Sequence, residues 1–266
     1  MEGRHDFRRW PVAFIGHGTP LNALADNEFT QSWARLGSVL GRPRAIVSIS
    51  AHWYTRGTRV TAMPFPETIY DFGYTNMFHL KYPAPGNPAL AARIGQLLDP
   101  IAVAQDQEWG FDHGTWSVLL KAYPAAEIPV VQLSIDGTRG PTFHYQIGRR
   151  LAPLREEGIL LLGTGNIVHN LEFSIRTGNA QPYDWAARFD QLVREKLVER
   201  RWDELVDYLS LSPDVEFAVP TPDHFLPLLY VLGAADPAES LSFPIEAIDR
   251  GSMAMRSVVI GAAEGA

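Results

Sequence analysis

The sequence predicts an α/β domain with a mostly parallel central sheet flanked by helices. Three features carry that expectation. Short, nearly continuous apolar runs stop at glycines, segments of helical periodicity lie between them, and no linker-like stretch divides the 266 residues. Strands buried on both faces read as unbroken apolar runs rather than as alternating ones, which is the signature of a parallel sheet covered by helices. The whole chain, 1–266, is expected to form a single catalytic domain, with residues 1–10 as a frayed terminus.

The elements follow in order. Pro11-Val12-Ala13-Phe14-Ile15 is the first strand and stops at Gly16-His17-Gly18. Glu28 to Leu40 is a helix that ends near Gly41. Ala45 to Ser50 is the second strand, followed by Ala51-His52. Pro64 to Pro88, rich in proline, glycine and aromatics, reads as a long surface excursion, and long loops are often functional. Asn87-Pro88 opens a helix, with Asn as cap and Pro in the first turn, and Leu90, Ile94, Leu97 and Leu98 form its apolar face. Trp116 to Tyr123 is a further helix. Ile128 to Leu133 is the third strand and Gly158 to Leu162 the fourth, the latter leading into Gly163-Thr164-Gly165-Asn166. Between Tyr183 and Glu199, the positions Ala186, Phe189, Val193 and Leu197 form a helical stripe.

Composition narrows the chemistry. Cysteine is absent, which removes disulfides, thiolate nucleophiles, Cys-ligated zinc and iron–sulfur clusters. Any metal must be held by imidazole and oxygen. A net charge of −7 argues against nucleic acid or an anionic membrane as partner. No apolar run reaches the ~18 residues of a membrane span. The segment Met1 to Trp10 lacks the apolar region of a secretory signal, so a cytoplasmic location is expected.

Open α/β sheets bind ligands at the carboxyl ends of their strands. His17, His52 and His169 lie just past such ends, so a metal site there is one reading and ordinary hydrogen-bonded loop histidines are the other. His224 lies in Pro220-Thr221-Pro222-Asp223-His224-Phe225-Leu226-Pro227. Either Thr221 caps a helix or the helix begins at Pro227, and the stiff turn suits a metal ligand and a plain structural turn alike. His113, between Trp109 and Trp116, is either a hydrogen-bonding group in a partly dry pocket or part of a helix start capped by Thr115. His5, His79 and His144 read as structural or surface residues. Dinucleotide, Walker, Gly-x-Ser-x-Gly and His-Glu-x-x-His motifs are all missing, which turns attention to metal chemistry on imidazole: Zn, Fe, Cu or Ni.

Seven segments together resemble the class III (LigB-type) extradiol ring-cleavage dioxygenases, in their 4,5-DOPA extradiol dioxygenase branch. They are Phe14-Ile15-Gly16-His17-Gly18-Thr19-Pro20, Ile49-Ser50-Ala51-His52-Trp53, Thr68-Ile69-Tyr70-Asp71-Phe72, Tyr82-Pro83-Ala84-Pro85-Gly86, Gly110-Phe111-Asp112-His113-Gly114-Thr115-Trp116, Gly163-Thr164-Gly165-Asn166-Ile167-Val168-His169-Asn170-Leu171 and Pro220-Thr221-Pro222-Asp223-His224-Phe225. They run in the family's order across residues 11 to 260. The resemblance implies a metal site at the carboxyl ends of the strands, with His17, His52 and His224 as ligands. Better-known class III enzymes place a glutamate at the third position. The resemblance makes His169 the catalytic acid/base, able also to approach the metal as a fourth ligand, and His113 a second catalytic histidine of the pocket.

The implied cofactor is Fe2+, the implied partners a catechol of DOPA type and O2, with no nucleic acid and no membrane. Three imidazoles around an open position also suit Zn2+, so a zinc-dependent hydrolase on the same scaffold is the alternative, and a non-catalytic binding protein a further one. Lys81, Arg56 and Arg176 fall on predicted loops, and none of them is assigned to a substrate carboxylate.

Overall fold

The computed structural model describes residues 9–175 and 180–262. At its centre six strands form one sheet. In chain order they are β1 (Val12–Gly16), β2 (Ala45–Ser50), β3 (Val130–Gln132), β4 (Ile159–Gly165), β5 (Leu241–Ile245) and β6 (Ser257–Ile260). Across the sheet they lie β3-β2-β4-β1-β6-β5. The first four are mutually parallel, and the last two are antiparallel additions at one edge. The predicted mostly parallel sheet is therefore correct, and the two antiparallel strands add to it. The edge strand β5 contains Pro244, which is tolerated where one backbone face lies outside the ladder.

Alternation along the strands builds two cores on one sheet. Val12, Phe14, Val47, Ile49 and Leu161 face α2 (Pro88–Leu98), α4 (Pro141–Leu151), α5 (Asp184–Val198) and α6 (Leu226–Ala234). Ala13, Ile15, Ile46, Leu160 and Leu162 face α1 (Glu28–Leu40) and α3 (His113–Ala122). Because both cores share that sheet, the chain forms a single α/β domain. The helix signals act as expected: Asn27 caps α1 in a capping box with Thr30, and Asn87 caps α2 ahead of Pro88. The wholly apolar α6, buried from Leu226 to Ala234, begins at Leu226 with Pro227 in its first turn. Of the two helix starts read from the sequence, the later one is correct.

Several boundaries differ from expectation. Strand β4 continues through Gly163-Thr164-Gly165, past the predicted end at Leu162. The absence of side chains at Gly163 and Gly165 lets the backbone around Pro227 and His224 approach the strand directly. Helix α3 starts at His113, and its cap is Asp112, whose carboxylate accepts the Thr115 amide. The stretch from Pro64 to Pro88 runs largely over the surface, as expected, but it is tied down: Met77 and Tyr82 are fully buried, and the Trp116 indole N–H donates to the Ile69 carbonyl at 2.9 Å. Of the terminus expected to fray, residues 1–8, His5 included, lie outside the described residues. Trp10 is fixed by backbone and guanidinium bonds to Arg155 at 2.8 and 2.6 Å. Arg176 also lies outside the described residues. Among the described residues no helix is long and apolar enough to cross a membrane.

His144 is a core residue of α4, with Nδ1 2.9 Å from the Tyr230 hydroxyl. Burial pushes its pKa down to about 4 from 6.5. The unfolded chain therefore binds a proton that the folded chain refuses between those values. Stability is complete above pH 6.5 and is lost as the pH falls toward 4, by up to about 3 kcal/mol. The expected result is a shallower fall of the urea midpoint over that window in His144→Gln than in the parent protein; equal slopes would remove His144 as a source.

Candidate metal centre

Strands β2, β4 and β1 are neighbours and run the same way, so their carboxyl ends meet. His17 follows β1 directly, His52 lies two residues past β2, and His169 lies four past β4. Backbone bonds continue the ladder into these turns: the His17 amide donates to the Gly165 carbonyl at 3.1 Å and the Ala51 amide to Thr164 at 3.0 Å. The Asn166 amide donates to the His224 carbonyl at 3.0 Å, which ties the turn before α6 to the end of β4. A side chain on Gly165 would strike that same carbonyl. His113 arrives on the first turn of α3.

Five rings thereby meet. His17 stands 5.0 Å from His52 and 5.4 Å from His224, centroid to centroid, and His52 stands 5.1 Å from His224. His113 lies 3.9 Å from His52. His169 stacks flat on His224 at 3.5 Å with 4° between the planes. One nitrogen each of His17, His52 and His224 fall within 4.8 Å of one another. His169 belongs to no such three-donor group among the described residues. Residues 17, 52, 113, 169 and 224 thus come together, while His79 lies exposed elsewhere and His144 in the core.

The donor set fits a divalent cation. The Nε2 atoms of His17 and His52 are 3.0 Å apart. Two nitrogens bound to one ion at about 2.1 Å sit roughly 3.0–3.4 Å from each other at octahedral to tetrahedral angles. The Nε2 of His224 is buried and has no hydrogen-bond partner, a costly state for a polar atom unless a ligand meets it. Its Nδ1 is bonded to the Asp223 carboxylate, and the Nδ1 of His52 lies 3.1 Å from Asp71. A carboxylate on the outer nitrogen is the common way to orient a ligating imidazole and raise its basicity.

Electrostatics favour neutral rings, the form in which imidazole binds metal. Burial pushes His17 and His169 well below the ordinary histidine range, helped by their imidazole neighbours. It also lowers His113 and His224 against the pull of Asp71 and Asp223. Only His52 is raised: burial opposes its charge, but Asp71 and Asp112 outweigh it. Burial alone would raise the Asp71 and Asp223 carboxyls, yet their histidine partners hold both well below the usual carboxylate range.

Asp71 is the residue that sequence reasoning left without a role. Its signal is a lone acidic residue between Tyr70 and Phe72 in a segment with no period. Asp112, fully buried, accepts from the Ser50 hydroxyl at 2.6 Å and from Gln132 at 2.8 Å, and the same hydroxyl accepts the His52 amide at 3.3 Å. Aromatic rings frame the site: Phe72 stands edge-on to His113 at 5.5 Å, and Trp53 stacks on Trp109 at 5.6 Å. A cavity of about 500 Å³ between the ends of α1 and α3, lined by Gly37, Arg42, Tyr123 and Glu127, includes none of the five histidines.

The chain is similar to several known proteins. Residues 13–248 match the family described as the catalytic LigB subunit of aromatic ring-opening dioxygenase. A protein of Escherichia coli (strain K12) named 4,5-DOPA dioxygenase extradiol is 51% identical over 259 residues, 95% of each chain. One of the same name from Beta vulgaris is 39% identical, over 84% of this chain and 85% of that protein. The crystal structure of an uncharacterized Escherichia coli K12 protein superposes with a TM-score of 0.84 at 50% identity, covering 95% of this chain and all of that one.

Close packing around His52 gives a test. A Cβ on Gly114 would lie 2.5 Å from the Ser50 hydroxyl and 3.0 Å from the His52 ring, whereas one on Gly73 would meet nothing within 4 Å. Gly114→Ala is expected to cost about 1–3 kcal/mol by overpacking, with Gly73→Ala nearly silent. Urea denaturation of both variants checks it, and equal midpoints would contradict the packing.

Proposed function

The chain belongs to the LigB family of aromatic ring-opening dioxygenases and is an extradiol-type enzyme, and from that premise we propose that it opens a DOPA-like catechol at Fe2+ held by His17, His52 and His224. The family is metal-dependent, and the observation that carries the reading is the convergence of three imidazole nitrogens with a buried, unpartnered Nε2 on His224. The names of the relatives supply the substrate class. Bound there, a ferrous ion supplies a Lewis acid for the two catechol oxygens and redox chemistry with O2, both atoms of which end in the product.

The protein's own groups manage protons and orientation. His169 takes the proton of a catechol hydroxyl and returns it as the ring opens. General acid–base help of this kind is worth about 10²–10⁴-fold. The carboxylates behind His52 and His224 keep those rings aimed inward. His113, fixed by Asp71, offers its remaining nitrogen to the substrate's hydroxyl oxygens. Phe72 and the Trp53–Trp109 pair line the flanks of the site.

Three outcomes are expected. His17→Ala and His52→Ala lose the bound metal by elemental analysis, and a full retained equivalent in either overturns the ligand assignment. His169→Ala keeps the metal while turnover of a catechol falls about 10²–10⁴-fold; an unchanged rate removes it as the acid/base. After anaerobic reconstitution, Fe2+ supports oxygen uptake and a yellow ring-opened product. Zn2+, which has no redox chemistry, does not.

A further inference from the structure

We propose that Asp71 is a positioning residue for this reaction: one carboxylate oxygen holds His52 and His113 in the same tautomer, leaving both Nε2 lone pairs turned into the site. The inference rests on the reading of the site as a metal-dependent ring-opening centre and assigns part of its precision to a residue outside the ligand set.

The geometry leaves little freedom. Asp71 Oδ2 lies 2.9 Å from His113 Nδ1 and 3.1 Å from His52 Nδ1, while Oδ1 accepts the backbone amide of His113 at 3.0 Å. An ionised carboxylate only accepts, so His113 Nδ1, hydrogen-bonded to it, carries its hydrogen, and a neutral His52 ring facing the same oxygen keeps its one hydrogen on Nδ1, leaving each Nε2 bare. The rings are 3.9 Å apart. Without a shared acceptor between them, neither tautomer would be fixed. His52 Nε2 faces His17 Nε2 at 3.0 Å, where the metal donors gather.

The chain leading into Asp71 is itself held, although it forms no helix or extended strand. The Ile69 amide donates to the Phe111 carbonyl and the Phe111 amide to Glu67, both at 2.7 Å. The Tyr70 hydroxyl donates to the Leu80 carbonyl at 2.7 Å, and Trp116 pins Ile69. The stretch is thereby stitched to the first turn of α3, the turn that carries His113. Asp71 couples a ligand to a pocket histidine through one oxygen, so its loss is expected to affect metal affinity and turnover together. A competing arrangement exists: His52, Asp71 and His113 also present donor atoms within 4.8 Å of one another, and a second ion there would require both Nδ1 atoms to be bare.

Long-range proton–nitrogen NMR of 15N-labelled protein at pH 7.5, metal-free and loaded with Zn2+, reads the tautomers directly. The expected spectra show Nδ1–H and unprotonated Nε2 for His52 and His113 in the metal-free protein. In Asp71→Asn at least one ring shifts to a mixture or to Nε2–H. Zn2+ affinity by chelator competition falls about 10–100-fold. The Fe2+-saturated variant loses kcat on a catechol more than it gains KM, and Asp71→Glu recovers part of both. Nε2–H on either ring of the parent protein, unchanged tautomers in a folded Asp71→Asn, or a second zinc equivalent lost with Asp71 would each overturn the proposal. If Asp71→Asn does not fold, the parent spectrum and Asp71→Glu still decide. The spectra need neither catechol nor oxygen, so a parent enzyme that opens no ring would defeat the functional reading without touching the tautomer result.

Discussion

Five imidazole rings occupy one small, largely dry volume, and they can do so only while most of them are uncharged. Like charges this close, with little solvent between them, repel strongly, and burial adds its own penalty to each protonated ring. The downward pull on His17, His113, His169 and His224 is that constraint expressed residue by residue. Its consequence is chemical. The cluster presents lone pairs at neutral pH, the form that binds a cation. The negative groups are arranged outside it: Asp71 and Asp223 bind outer nitrogens, and Asp112 sits beneath His52 with its oxygens bonded to Ser50, Gln132 and Thr115.

The sheet makes such crowding possible. Three adjacent parallel strands end together, and their ladder bonds continue one step further into the histidine turns. Rigid elements carry the site, as a centre whose donors must meet within fractions of an ångström requires. Glycines supply the remaining tolerance. Gly165 lets the turn carrying His224 lie directly on β4, and Gly114 lets α3 approach Ser50 and His52. The site is therefore a product of backbone packing as much as of side-chain choice.

How much of this was legible in the sequence follows from the range of each interaction. The parallel strands and helices α1, α2 and α5 announce themselves through local apolar period and caps. The antiparallel pair β5 and β6 does not: one strand carries Pro244 and the other is four residues long, so neither stands out from loop. His17, His52 and His169 could be placed near strand ends, because a strand end is a local feature. Whether their rings meet, and whether the rings of His224 and His113 join them, depends on strand order, which no local pattern encodes. Asp71 lay furthest from view. It precedes His113 by 42 residues, in a segment without period, and its role appears only when that segment folds back on α3.

The third donor position shows how charge can move in such a site without being lost. A carboxylate ligand brings a negative charge into contact with a cation, whereas an imidazole brings none. Here the imidazole of His224 is bonded through its other nitrogen to Asp223, so a carboxylate still stands behind that position at one ring's remove. The same is true of His52 and Asp71. A cation among the three nitrogens would meet neutral donors in direct contact and two carboxylates in the next layer, a softer field than a bound carboxylate gives. The flat face of His224 is left free by this arrangement, and His169 stacks on it. An acidic side chain at that position would offer no such platform. Substituting histidine for a carboxylate therefore changes two things at once: where the negative charge sits, and what holds the ring assigned to proton transfer.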